Sequence, residues 1–150
     1  MSEQDRLAVA AEAFIHGYRG WLSGRYRKDA DQQAPFSAAR RRLAERFDLS
    51  LPANLRKLEA AEALAELAEE VGLSLIEVAI AFVLNHPAVT AAIIGPRTME
   101  QLESQLPAAD VVLDVGLLDR IDEIVTPGIN FNPADGGWAN PALQPAARRR

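Results

Sequence analysis

The 150-residue chain has no cysteine, which excludes disulfides and thiolate metal sites. No metal site of another kind is read from it. No apolar run approaches the roughly 20 residues of a membrane span, and the first residues lack the basic-then-apolar order of a secretory signal. No membrane contact and a cytoplasmic location are therefore expected. Positive charge is not in excess: the net charge of −5 argues against a nucleic-acid partner. No internal repeat is visible. Against these absences, the proportions of apolar (49%) and charged (25%) residues are those of an ordinary soluble globular domain, and the length suits one domain.

The most informative stretch is 89–103. It reads as a short apolar strand at 90–94, a turn at Gly95 and Pro96 followed by Arg97, and a helix that begins at once. Thr98 is placed to cap that helix, and Gln101 lies where a capping box wants Glu or Gln. A helix start favours anions through its free N–H groups and partial positive charge. Arg97 adds a fixed cation that can grip phosphate with two parallel bonds. The segment reads as a phosphate holder at the end of a strand. The plainer alternative is a strand-to-helix turn with a surface arginine.

Helices dominate the remainder. Residues 3–15 read as a short lead helix capped by Ser2, with Leu7, Ala10, Ala11 and Phe14 on one face. Residues 28–35 read as polar loop, and 37–47 as a helix capped by Ser37. The arginines at 40–42 could form a basic patch, but a solvated helix face balanced by Glu45 and Asp48 is the favoured reading. The clearest amphipathic helix has Leu55, Leu58, Ala61, Ala65, Ala68 and Val71 on its apolar face, with Glu62, Glu66 and Glu69 turned away. Gly72 is expected to end it in the left-handed conformation. Ser74 and Glu77 form a capping box for the next helix, which is apolar at every position of 78–84 and needs cover on all sides. His86 sits where that helix stops before Pro87. Val111 to Leu113 reads as a second extended piece, and Asp114 caps a last helix over 115–125, stopped by Pro127. The strand at 90–94 has nothing visible to pair with, which marks it as a piece of a larger sheet or as one whose partner strands come from another chain.

Several of these motifs together resemble the aldo-keto reductase family. Ile93-Ile94-Gly95, then Arg97, then Gln101-Leu102-Glu103-Ser104-Gln105 are similar to the family's last barrel unit. Residues 20–27, Gly-Trp-Leu-Ser-Gly-Arg-Tyr-Arg, are similar to its Gly-x-Leu-[Ser/Thr]-Gly-[Lys/Arg]-Tyr loop. The helix at 117–124 resembles its closing helix. The resemblance covers 20–131, after a divergent lead at 1–19 and before a flexible tail at 132–150.

The resemblance implies an α/β fold, the C-terminal part of a (β/α)8 TIM barrel, mostly helical in this chain with one parallel strand. A complete barrel needs about 250 residues, so the chain reads as truncated. The family reduces aldehydes and ketones with NADPH, using a Tyr, a Lys, an Asp and a His from the first half of the barrel. Tyr18, Tyr26, His16 and His86 match none of these, so no catalytic residue is expected. The resemblance maps NADP(H) contacts onto Gly95, Pro96, Arg97, Gln101 and Gln105, with Ser23 and Gly24 near the pyrophosphate. Arg97 is expected to hold the 2′-phosphate; Gln105 replaces the family's asparagine. Cofactor binding is expected to be weak. Self-association, or a partner supplying the missing half-barrel, is expected from the uncovered apolar helix. The alternative function is a non-enzymatic helical interaction module with a vestigial anion site; a weaker one is a binder of another phosphorylated ligand.

Overall fold

The computed structural model describes residues 20–24, 26–28, 44–87, 89–127 and 129–132. The lead helix, most of the 28–35 loop, the start of the 37–47 helix and nearly all of the tail lie outside them. The described elements are a 3-10 turn at Ala44–Arg46, helix α1 (Pro52–Glu70), helix α2 (Leu75–Leu84), helix α3 (Met99–Gln105) running into a second 3-10 turn at Leu106–Asp110, and helix α4 (Val115–Ile124).

Local sequence explains where each helix starts and stops. Pro52, with its fixed φ, opens α1 without a side-chain cap. Gly72 closes it at φ +74°. The Gly72 amide donates to the Glu69 carbonyl and the Leu73 amide to the Ala68 carbonyl, the paired bonds of a Schellman ending. The expected capping box of α2 is present in full: the Ser74 hydroxyl accepts from the Glu77 amide, and the Glu77 carboxylate accepts from the Ser74 amide at 2.7 Å. The Ser74 hydroxyl also donates to the Glu77 carboxylate at 2.6 Å, and this bond, followed by that from the Ser74 amide, holds the Glu77 carboxyl below its ordinary pKa. Asp114 accepts from the Leu117 amide at 2.7 Å and caps α4 as expected.

The core forms where α1, α2 and α4 meet, with Leu64, Leu67, Ala68, Leu75, Val78, Ala81, Leu113 and Ile121 buried together. Ala68 and Ala81 are both fully buried there. The Arg120 guanidinium reaches Glu70 at 2.7 Å and ties α4 to the end of α1.

Four expectations need correction. The first concerns the strand at 90–94. No strand forms among the described residues; 89–96 has no regular secondary structure and carries no ladder. A parallel strand is held by lateral hydrogen bonds, and the described residues offer it no neighbour. Ile93 is 83% exposed and Val112, in the second extended piece, 86%. The second correction is the buried stripe of α1, which is rotated from the expected one. Leu55 and Val71 are exposed, whereas Asn54, Lys57, Leu64 and Leu67 are buried with Ala61, Ala65 and Ala68. At its first turns α1 faces loop carbonyls and aromatic rings rather than another helix, and Asn54 and Lys57 suit that surface. Thirdly, the described end of the 37–47 helix is a 3-10 turn rather than α-helix. Finally, every residue of 78–84 is buried or half-buried, so α2 has more cover than its sequence suggests.

Candidate functional site

The segment that follows residues 89–96 is built by short-range bonds. The Thr98 hydroxyl accepts from the Gln101 amide at 3.2 Å, which caps α3. The Gln101 side chain turns back, and its Oε1 accepts from the Arg97 amide at 2.8 Å. The capping box is thus shifted by one residue: Gln101 secures the residue before the cap rather than the cap itself. Gly95 and Arg97 are exposed and Pro96 is half-exposed. Among the described residues no carboxylate pairs with the Arg97 guanidinium, and the amides of Thr98, Met99 and Glu100 donate to no protein acceptor. A cation therefore stands beside three uncommitted N–H donors, the requirement for holding an anion. Glu100, in the first turn, opposes that attraction. Gln105 lies one turn beyond Gln101, on the same face of α3.

Ser23 and Gly24 stand in a separate turn. The Ser23 hydroxyl and amide both donate to the Gly20 carbonyl, at 2.6 and 3.2 Å, so the hydroxyl hydrogen is committed to closing the turn. Gly24 has φ +74° and open space where a Cβ would stand; the backbone conformation, not crowding, favours glycine. No hydrogen bond or ion pair joins this turn to 95–105 among the described residues. Hydrogen bonds join Arg97, Thr98 and Gln101 to one another, and none among the described residues joins Ser23 or Gly24 to them.

What holds the 20–28 loop was not read from the sequence. The Arg27 guanidinium bridges Glu62 at 2.8 Å and Glu69 at 2.7 Å, two turns apart on α1. The Lys28 amide also donates to Glu62 at 2.8 Å. That amide bond, with Arg27 beside it, lowers the Glu62 pKa; the Glu69 hydrogen bond leads in raising that of Arg27. Glu62 and Glu69 are thus anchors for the loop, not merely solvated. Trp21, buried to 3% exposure, stacks on Phe47 with ring centres 5.5 Å apart and lies 4.8 Å from Tyr26. Lys57, 4% exposed, places its ammonium 5.2 Å from the Trp21 ring centre and donates to the Arg46 carbonyl at 3.0 Å. Fully buried Asn54 donates to the Glu45 and Asp48 carbonyls, both at 2.8 Å. A signal for this cluster existed, since Asn54, Lys57, Ala61 and Leu64 recur at helical spacing. Polar residue types at the first two positions hid it.

Beside this cluster an apolar cleft of about 100 Å³ opens between α1, α2 and α4, with Trp21 and Lys57 on its wall. Among the described residues no group of acids and histidines could hold a metal, and no helix is long and apolar enough to cross a membrane.

Comparison with known proteins gives a family. The model of the aldo/keto reductase family matches residues 8–126. The uncharacterized oxidoreductase YrpG of Bacillus subtilis (strain 168) is 39% identical over 88 residues, covering 59% of this chain and 26% of that protein. A Schizosaccharomyces pombe (strain 972 / ATCC 24843) protein named as a voltage-gated potassium channel subunit beta is 27% identical over 118 residues, 77% of this chain and 33% of that protein. The chain spans about a quarter to a third of the length of these curated relatives. No solved structure matches it.

Proposed function

Because the chain belongs to the aldo/keto reductase family, we propose that it is the C-terminal, cofactor-holding part of an NADPH-dependent reductase of aldehydes and ketones. The relative named as an oxidoreductase supports that reading. The observation that carries it is the exposed Arg97 guanidinium, unpaired among the described residues and set one residue before a capped helix start with uncommitted amides.

In this reading Arg97 grips the 2′-phosphate of the nucleotide, and the amides of Thr98, Met99 and Glu100 donate to the same group. Gly95 and Pro96 shape the approach, and Gln101 and Gln105 flank the adenosine. Ser23 and Gly24 lie toward the pyrophosphate once the rest of a barrel is in place. Bound NADPH supplies the hydride; the residues of this chain bind and orient its adenosine end. A proton donor for the carbonyl must come from elsewhere, so the chain alone reduces no aldehyde above a no-protein control.

Calorimetry with NADPH and NADH tests the assignment. A charge-assisted bidentate contact contributes about 1.5–3 kcal/mol, roughly ten- to a hundredfold in affinity. Arg97→Ala is expected to weaken NADPH by that factor and to leave the already poor NADH binding nearly unchanged. Equal losses for both nucleotides, or none, would make Arg97 an ordinary surface arginine.

A second reading, a non-enzymatic helical interaction module with a vestigial anion site, draws support from the exposed side chains of Ile93, Met99, Val112 and Val115. Absence of binding to either nucleotide would favour it.

A further inference from the structure

Past Ile124, where α4 ends, the chain turns back toward the first turn of α1. The Ile129 amide donates to the Thr126 carbonyl at 3.1 Å. Further on, the Asn132 side-chain amide donates to Oδ1 of Asn54 at 3.3 Å. The Asn132 backbone amide donates to Oδ1 of Asn130 at 3.1 Å. Between these ties, Ile129 and Phe131 stand on the wall of the apolar cleft, together with Leu64 on α1, Val78 on α2 and Ile121 on α4. Residues 129–132 therefore run from α4 to α1 along the cleft, and they share nothing with the Arg97 segment.

The tie to α1 is weaker than what surrounds it. Asn54 is fully buried. Its Nδ2 donates to the Glu45 and Asp48 carbonyls, both at 2.8 Å, whereas its Oδ1 accepts from Asn132 alone among the described residues. A separation of 3.3 Å lies beyond the ordinary range of an N–H···O bond, and a neutral bond biases an equilibrium by only roughly two- to tenfold. Ile129 is 46% exposed and Phe131 half-buried, so the segment hides little apolar area of its own. Lifting it lets water reach Asn54 Oδ1, which leaves no buried acceptor unsatisfied. The two Nδ2 bonds keep Asn54 in place meanwhile. Release of this segment thus costs far less than unfolding of the helices.

We propose that residues 129–132 form a strap that closes the apolar cleft, latched by Asn132 on Asn54, and that the strap opens while α1, α2 and α4 stay folded. Closed, it completes the wall of the cleft; open, it presents Leu64, Val78 and Phe82 to solvent.

Thiol labelling of the full chain tests this. The chain has no cysteine, so Ala61→Cys, at a cleft position 1% exposed, supplies a single reporter. Labelling is expected to be far slower than that of a free thiol, and its rate to stay flat through the low urea concentrations that leave the helices folded. Asn132→Ala in that background is expected to speed labelling roughly two- to tenfold, with helical circular dichroism unchanged. If Ala61→Cys does not fold, acrylamide quenching of Trp21, which also lines the cleft and is the single tryptophan of a Trp138→Phe background, decides: Asn132→Ala is expected to raise it. A labelling rate that climbs steeply from the first addition of urea would make the strap part of the cooperative core and overturn the proposal. So would labelling at the free-thiol rate, or equal labelling or equal quenching with and without the Asn132 side chain.

Discussion

Residues 52–84 and residues 89–115 are both rich in aliphatic side chains, yet the first stretch buries or half-buries all its large ones but Leu55 and Val71, whereas the second, which buries Ala108 and Leu113, displays half of its large ones. In the first, Leu64, Leu67, Ala68, Leu75, Val78 and Ala81 form one core with Leu113 and Ile121. In the second, Ile93, Met99, Leu106, Val112 and Val115 are exposed. The difference lies in how each backbone is satisfied. A helix closes its hydrogen bonds within itself and needs a neighbour only for its apolar stripe. An extended segment needs a neighbour for its backbone as well. The helices at 52–84 find each other within this chain, whereas 90–94 and 111–113 find no ladder partner among the described residues.

The contrast can be broken most sharply by truncating one side chain in each region. Leu67→Ala, at a position 2% exposed, is expected to destabilise the chain by about 2–5 kcal/mol in urea unfolding. Ile93→Ala is expected to change stability by less than about 0.5 kcal/mol. A large cost at Ile93 would mean that 90–94 is packed and the contrast false.

The caps sharpen it on a smaller scale. Ser74→Ala removes one half of a reciprocal box on a helix that feeds the core, and about 1 kcal/mol of stability is expected to go with it. Thr98→Ala removes a similar bond from α3, which has no buried residue, so global stability is expected to move by only a few tenths of that. Equal losses would couple α3 to the core.

The smallest effect is in the docking of the 20–28 loop. The folded-state pKa of Glu62 lies below the ordinary 4.5, so ionised Glu62 contributes stability that is present above that value and lost as pH falls through the lowered one. Acidification below pH 4.5 is therefore expected to loosen the Arg27 bridge before the helices unfold. A change in Trp21 emission in the Trp138→Phe background, preceding loss of helical circular dichroism, checks it. Glu62→Gln is expected to shift that change to higher pH or abolish it. A loop signal and a helix signal that always coincide would make the loop part of the core.

Much of the helical layer was legible because its signals are local. Gly72 needs a positive φ, the Ser74–Glu77 and Asp114 caps act within three residues, and α2 and α4 follow from spacing. The stripe of α1 was misread because Asn54 and Lys57 are buried by carbonyls and rings distant in sequence, which periodicity of apolar residues cannot reveal. The strand at 90–94 was read from composition suited to a sheet interior; whether a strand forms depends on neighbours that composition does not contain. At the candidate site, Thr98 and Gln101 were legible as a cap. The turn of the Gln101 side chain onto the Arg97 amide was not, nor was the anchoring of the 20–28 loop by Glu62 and Glu69, which joins positions about 35 to 42 residues apart.

Amide hydrogen exchange on the full chain tests the central contrast most directly. The account predicts the strongest protection at 64–68 and 78–84, and exchange near the unprotected rate at 90–94 and at Val112 and Leu113, whose amides donate to no protein acceptor among the described residues. Protection at 90–94 equal to that of α2 would contradict it, because those amides would then have found a strand partner.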